Sequence, residues 1–228
     1  MNIAGFVKTS FVDYPGKIAC VVFTQGCNLK CSYCHNVSLI EENDAASGIQ
    51  PEEVFEFLSK RKGMIDAVVV SGGEPTLQKN LAVFIKELKD RSLLVKLDTN
   101  GSNPGILRAL IDDKLLDYIA MDLKAPLSKY DSITGTSQLE LSLIRESVGV
   151  IKNSGLAHEF RTTLCPELEA DDILDIILDF KITSNYVVQR CRSTELKKVS
   201  GNKQDLKRLI QCSKENGSSF SFRGFEFR

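Results

Sequence analysis

The chain has 228 residues, 43% of them hydrophobic and 26% charged, a balance that fits a folded globular protein and excludes a disordered one. Lys and Arg number 29 against 30 Asp and Glu, and the formal net charge of -1 lacks the basic excess of a bulk nucleic-acid binder. At roughly 150 residues per domain, the length predicts one domain over residues 1–228. No apolar run reaches the roughly 18 residues of a membrane span. The first five residues lack the basic and then apolar start of a signal peptide, so a cytoplasmic location is expected. The 7 cysteines are an odd number in a chain with no sign of secretion. They argue for reduced thiols serving a metal or cofactor rather than for a disulfide framework.

In chain order, residues 17–24 are apolar and β-rich, bounded by Pro15-Gly16 and Gly26, and read as a buried strand. A helix opens at Pro51 with Glu52 and Glu53 in its first turn. Residues 67–71 form a second buried strand, and 81–89 a helix with apolar positions at 81, 84, 85 and 88. Strands follow at 93–97, 118–121, 159–164 and 186–189, and helices at 104–111, 139–151, 170–180 and 202–212. The aromatic–polar alternation of residues 220–228 predicts a last strand with one buried face. Six strand–helix units in series imply parallel strands with helical crossovers. Six fall short of the eight that close a full barrel, so the expected fold is α/β, a partial (β/α)6 barrel with a short C-terminal strand. A doubly wound sheet is the alternative, and either architecture puts the chemistry where strands end and helices begin. Residues 190–228 carry ten Lys and Arg against four Asp and Glu. That segment is either a solvated face or a docking surface for an acidic partner.

The sharpest signal follows the first of these strands. In Gly26-Cys27-Asn28-Leu29-Lys30-Cys31-Ser32-Tyr33-Cys34-His35-Asn36, three cysteines are spaced C-x3-C-x2-C. Three thiolates on a short loop can share one metal centre, one ligand short of a saturated four-iron cluster. A zinc site needs a fourth ligand, which the adjacent His35 is badly placed to supply.

With the aromatic Tyr33 and the strand before it, this loop resembles that of the radical S-adenosylmethionine (SAM) superfamily. The words Asp13-Tyr14-Pro15-Gly16 and Cys34-His35-Asn36 narrow the likeness to its glycyl-radical-enzyme activating branch. It is most similar there to activating proteins of anaerobic ribonucleoside-triphosphate reductase. The resemblance implies that Cys27, Cys31 and Cys34 hold a [4Fe-4S] cluster whose open iron chelates SAM, and that Tyr33 lies near SAM. Gly72, Gly73 and Glu74 match a GGEP motif that contacts the SAM amino group. Asp98 and Thr99, in Asp98-Thr99-Asn100-Gly101, correspond to residues near the SAM carboxylate and a monovalent cation. Asp122 and Lys124 match a D-L-K motif, the aspartate toward the cation and the lysine toward the carboxylate. Arg161 matches a strand arginine near SAM. Gln189 stands where pyruvate formate-lyase activases have a histidine, a departure that favours the reductase branch.

The implied reaction is reductive cleavage of SAM and hydrogen abstraction from a partner's backbone glycine. The implied partners are a glycyl-radical enzyme and an electron donor of the flavodoxin or ferredoxin class, with no nucleic acid and no membrane. An activase of the pyruvate formate-lyase type, a radical SAM enzyme acting on a small molecule and a zinc-binding module are the rivals. Among other residues, Cys20 and Cys212 read as structural, Cys165 and Cys191 as packed near the site end of the sheet, and His158 as a surface residue.

Overall fold

A computed structural model describes residues 1–41, 48–183, 185–191, 211 and 220–225. Its centre is one eight-stranded sheet in the order β1-β2-β3-β4-β5-β6-β7-β8. The strands are β1 (Ile3–Ser10), β2 (Ala19–Thr24), β3 (Ala67–Gly72), β4 (Leu94–Thr99), β5 (Tyr118–Asp122), β6 (Ala157–Leu164), β7 (Tyr186–Arg190) and β8 (Phe220–Arg223). Every neighbouring pair from β2 to β8 is parallel, and only β1 runs antiparallel, against β2. Strand order follows chain order without reversal. A doubly wound sheet would reverse it, so the open barrel expected from the alternation is the fold. Among the described residues, no helix is long and apolar enough to cross a membrane.

The helices are α1 (Pro51–Lys60), α2 (Leu81–Asp90), α3 (Pro104–Asp112), α4 (Tyr130–Thr134), α5 (Leu141–Asn153) and α6 (Ala170–Phe180). Their starts follow local chemistry. Pro51 and Pro104 occupy first-turn positions, where a missing N–H costs nothing. Gln50 N donates to Glu53 Oε1 at 2.9 Å, and Glu169 N to Asp172 Oδ2 at 2.7 Å. Their apolar stripes join the outer face of the sheet in the main core, where Val22, Val70, Leu97, Met121 and Phe160 meet Phe84, Leu107, Ile144 and Ile173.

The inner face is layered. Toward the strand starts, Ala19, Val21, Ala67 and Val69 form a second apolar cluster with Tyr14, against which Leu94 and Tyr118 pack. Two and four residues further along, the same face of β4, β5 and β6 carries Lys96, Asp98, Asp122, Glu159 and Arg161. The period of two along each strand keeps these side chains pointing inward.

Three expectations need correction. β1 was not anticipated: its exposure along Ile3–Ser10 does not alternate, because it is an edge strand with two register shifts against β2. The loop from β1 to β2, which holds the D-x-P-G word, folds under the barrel floor, with Tyr14 7% exposed and its ring 5.7 Å from that of Tyr118. The short α4 was also not anticipated; five residues carry too little periodicity to read. Finally, β4 and β5 run through Asp98, Thr99 and Asp122, which the sequence reading put in loops. The helix expected at 202–212, Cys212 and most of the basic C-terminal segment lie outside the described residues.

Gly101, just after β4, has φ +75°, and a Cβ there would meet Met121 Cε at 2.0 Å. The methionine end can swing aside, so backbone strain is the larger cost. Gly101→Ala should destabilise the fold by about 1–3 kcal/mol, read as a lowered midpoint in urea unfolding; an unchanged midpoint would contradict this backbone assignment.

Candidate active site

At the C-terminal ends of the parallel strands lies a cavity of about 650 Å³. All three motif cysteines line it, together with Tyr33 and His35. The cysteine loop is tied down from two sides. Gly26 N and Cys27 N donate to Leu39 O and Ile40 O at 2.8 and 3.1 Å. Lys30 N and Ser32 N donate to Thr134 O and Ile133 O, the last carbonyls of α4, at 2.8 and 3.1 Å. Helix α4 thus uses its free C-terminal acceptors to brace the loop. The thiols are free. Burial pushes the Cys27 thiol up to about 11 and raises that of Cys31 as well, although Lys124 opposes it at Cys31. The Tyr33 hydroxyl is buried without a hydrogen-bond partner among the described residues.

The opposite wall is charged. The Arg161 guanidinium spans β4 and β5 from β6, with Nε 2.8 Å from Asp122 Oδ1 and Nη1 3.2 Å from Asp98 Oδ2. Lys124 Nζ lies 3.0 Å from Asp122 Oδ2, and Lys96 Nζ 2.8 Å from Asp98 Oδ1. Burial alone would raise both carboxyls, but the cations outweigh it. Arg161 and Lys96 hold Asp98 below the usual carboxylate range, and Arg161 and Lys124 hold Asp122 well below it. The cations respond in kind: against burial, Asp122 raises both Lys124 and Arg161. Glu159, one layer down, takes Arg223 Nη2 at 3.1 Å and the Tyr118 hydroxyl at 3.3 Å.

Gly72, Gly73, Asp98, Thr99, Asp122, Lys124, Arg161 and Gln189 all line the cavity. Gln189 donates to Thr163 Oγ1 at 3.0 Å. Gly73 is needed for close approach: a Cβ there would sit 2.0 Å from Gly26 O. Glu74 is the exception. It is fully buried, lies outside the cavity wall, and its carboxylate is taken up within the protein. Thr76 N at 3.1 Å, Thr76 Oγ1 at 2.6 Å and Thr99 Oγ1 at 2.7 Å donate to Oε1, and Asn100 N donates to Oε2 at 2.6 Å. Burial raises this carboxyl against the pull of those donors. Glu74 is a latch between the loops that follow β3 and β4, and Asn100 Nδ2 extends the link to Asn28 Oδ1 at 2.9 Å.

Cys191 lines the cavity, Cys165 is in the main core, and Cys20 is fully buried as expected. His158 is half-buried against Phe160 rather than at the surface, with Nδ1 2.8 Å from Leu156 O. Lys96 and Ser71 were missed. The run Leu94-Val95-Lys96-Leu97-Asp98 holds the signal for Lys96: a lysine two residues before an inward aspartate shares its face.

The donor set suits an iron–sulfur cluster. Among the described residues, no three His, Cys, Asp or Glu side chains converge closely enough to hold a single metal ion. A polynuclear cluster asks each thiolate to bind its own iron, which three thiols lining one cavity can do. The cations opposite suit an anionic group.

The Radical SAM superfamily matches residues 21–180. A Methanocaldococcus jannaschii protein that carries the name of a glycyl-radical enzyme activating enzyme is 36% identical over 196 residues, 82% of this chain and 79% of that protein. A pyruvate formate-lyase-activating enzyme of Clostridium pasteurianum is 32% identical over 175 residues, 73% of this chain and 70% of that enzyme. Among solved structures, Streptococcus suis SuiB bound to the precursor peptide SuiA aligns with 90% of this chain at a TM-score of 0.65 and 17% identity. This chain spans 48% of SuiB, and the likeness is one of fold.

The charged wall makes a pH-dependent prediction. Both aspartates titrate below their unfolded values, so the stability they carry is complete above about pH 4 and is lost as the pH falls through their folded values. Arg161→Met leaves Lys96 and Lys124 in place, so its cost at pH 7 should sit near the lower end of about 3–5 kcal/mol. The gap from the unaltered protein should hold down to about pH 4 and narrow as the pH falls below it. Urea unfolding at several pH values checks this, and a gap constant with pH would refute it.

Proposed function

Because the chain belongs to the radical SAM superfamily and to its glycyl-radical-enzyme activating family, we propose that it installs a glycyl radical on an anaerobic ribonucleoside-triphosphate reductase. One observation carries the reading: a single cavity at the strand ends joins the three thiols of the C-x3-C-x2-C loop to Asp98, Asp122, Lys124 and Arg161. Family membership implies a [4Fe-4S] cluster and SAM, and Cys27, Cys31 and Cys34 are the residues that would hold the cluster. A cluster held by these three cysteines would supply the electron for reductive cleavage of SAM, and the resulting 5'-deoxyadenosyl radical would take a hydrogen atom from the target glycine.

The protein's own part is positioning. Lys124, 17% exposed at its side chain, and Arg161 offer N–H donors to the methionyl carboxylate. Gly72 and Gly73 let the loop after β3 lie against Thr24 and the start of the cysteine loop at Gly26, where a Cβ would clash with backbone. Glu74 holds the loops in register from behind rather than touching the ligand. Tyr33 and the partly buried thiols keep bulk water from the reacting atoms. An open barrel leaves a side through which a polypeptide glycine can enter. The electron would come from a flavodoxin- or ferredoxin-class donor, and the chain would act in the cytoplasm.

Gln189 at the cavity wall, in place of the histidine of pyruvate formate-lyase activases, supports the reductase as target. The likeness to the Clostridium enzyme favours a second reading, an activase of pyruvate formate-lyase type. Reconstituted protein, SAM and a strong reductant should give 5'-deoxyadenosine, and with the reductase of the same source a glycyl doublet in EPR. Cys31→Ala should abolish both. A doublet with the lyase and none with the reductase would decide for the second reading; an intact cluster that cleaves no SAM would end both.

A further inference from the structure

The motif reading assigns Asp98 and Asp122 to a monovalent metal cation, and the residues around them do not fit one. Each of the four carboxylate oxygens already lies against a side-chain cation: Asp98 Oδ1 against Lys96, an ion pair at 2.8 Å without hydrogen-bond geometry, Asp98 Oδ2 and Asp122 Oδ1 against Arg161, and Asp122 Oδ2 against Lys124. With Glu159 and Arg223 included, four cations meet three carboxylates, so this wall holds an excess of positive charge before any metal ion enters. A hard cation needs several oxygen ligands in its own shell, and the four carboxylate oxygens at hand each already have a cation against them.

Lys96 is the residue that closes the set. Its ammonium lies 2.8 Å from Asp98 Oδ1 and donates to Asp13 O, in the loop under the barrel floor, also at 2.8 Å. It sits 5.8 Å from the centre of the Tyr118 ring. The residue is 2% exposed and its stem is enclosed by the barrel, so it cannot swing out to make room. A metal ion at Asp98 would stand beside a fixed ammonium, or would leave that ammonium buried without its carboxylate.

We propose that Lys96 is the resident cation of this site, a covalently attached ammonium standing beside Asp98 where a sodium or potassium ion would otherwise bind, so that the chain binds SAM without a monovalent metal. The role in SAM binding rests on the proposed function; the displacement of the metal ion rests on the geometry alone. Lys96 is a positioning residue: it orients Asp98, which in turn holds Arg161 toward the cavity.

The test compares KCl, NaCl and N-methylglucamine chloride at matched ionic strength, with the reconstituted protein and its Lys96→Met and Lys96→Gln variants. In the unaltered protein, the SAM dissociation constant and the unfolding midpoint without SAM should be the same in all three salts. In Lys96→Met, Asp98 Oδ1 and Asp13 O lose their partner and face a gap the size of an ammonium. SAM binding should weaken by about tenfold or more in N-methylglucamine and recover in a saturable way with K⁺ or Na⁺. A general loss of packing would not produce that ion-specific rescue. Should Lys96→Met not fold, the Gln variant and the unaltered protein carry the test. SAM affinity or an unfolding midpoint that rises with K⁺ or Na⁺ in the unaltered protein overturns the proposal. If SAM fails to bind in every salt, the proposed function falls, and the midpoints alone decide the lysine assignment.

Discussion

A guanidinium buried inside a barrel has to be paired, and Arg161 is paired twice over. It reaches from β6 across β5 to β4, 2.8 Å from Asp122 and 3.2 Å from Asp98. In a medium of low dielectric these bonds outweigh the cost of taking three charges out of water, which is why both carboxyls stay ionised against the effect of burial. The same bonds fix where three strand ends stand relative to one another. The cavity inherits its shape from that bridge, and the positive sign of its wall from Lys96, Lys124 and Arg223 around it.

A second constraint sets the loops above it. Glu74 uses its carboxylate on Thr76, Thr99 and Asn100, and its backbone N–H on Gly26 O at 2.8 Å, so three catalytic-end loops share one buried junction. The cysteine loop also leans on the carbonyl end of α4. Three thiols on a loop of this length would otherwise sample many arrangements, and the backbone bonds on both sides remove that freedom. Preorganisation of this kind is what a site that handles a reactive radical requires.

Much of this was legible in the chain. Continuous apolar runs such as Val68-Val69-Val70 announce strands covered on both faces, and the strand–helix alternation announces a parallel, chain-ordered sheet. The cysteine spacing announced the site, since loop ligands close in sequence remain close in space. Other features were not legible. β1 is an irregular edge strand, paired with β2 and bridged at Ile3 to Ile49. Asp98 and Asp122 looked like loop residues because a strand reading stops where apolar residues stop, whereas these strands run on into a polar interior.

Residue types and spacing by themselves determined the fold class, the family and the three thiols, because each is a local pattern that survives without knowledge of partners. Tertiary structure alone decided which groups meet. It turned Glu74 from a candidate ligand into a latch and brought Lys96, an ordinary lysine in an apolar strand, to Asp98 and the Asp13 carbonyl. The physical reason is the barrel. Closing parallel strands around one axis drives side chains far apart in sequence into a shared interior, where every charge must find its counterpart, and that pairing is a property of the enclosed space rather than of any segment of the chain.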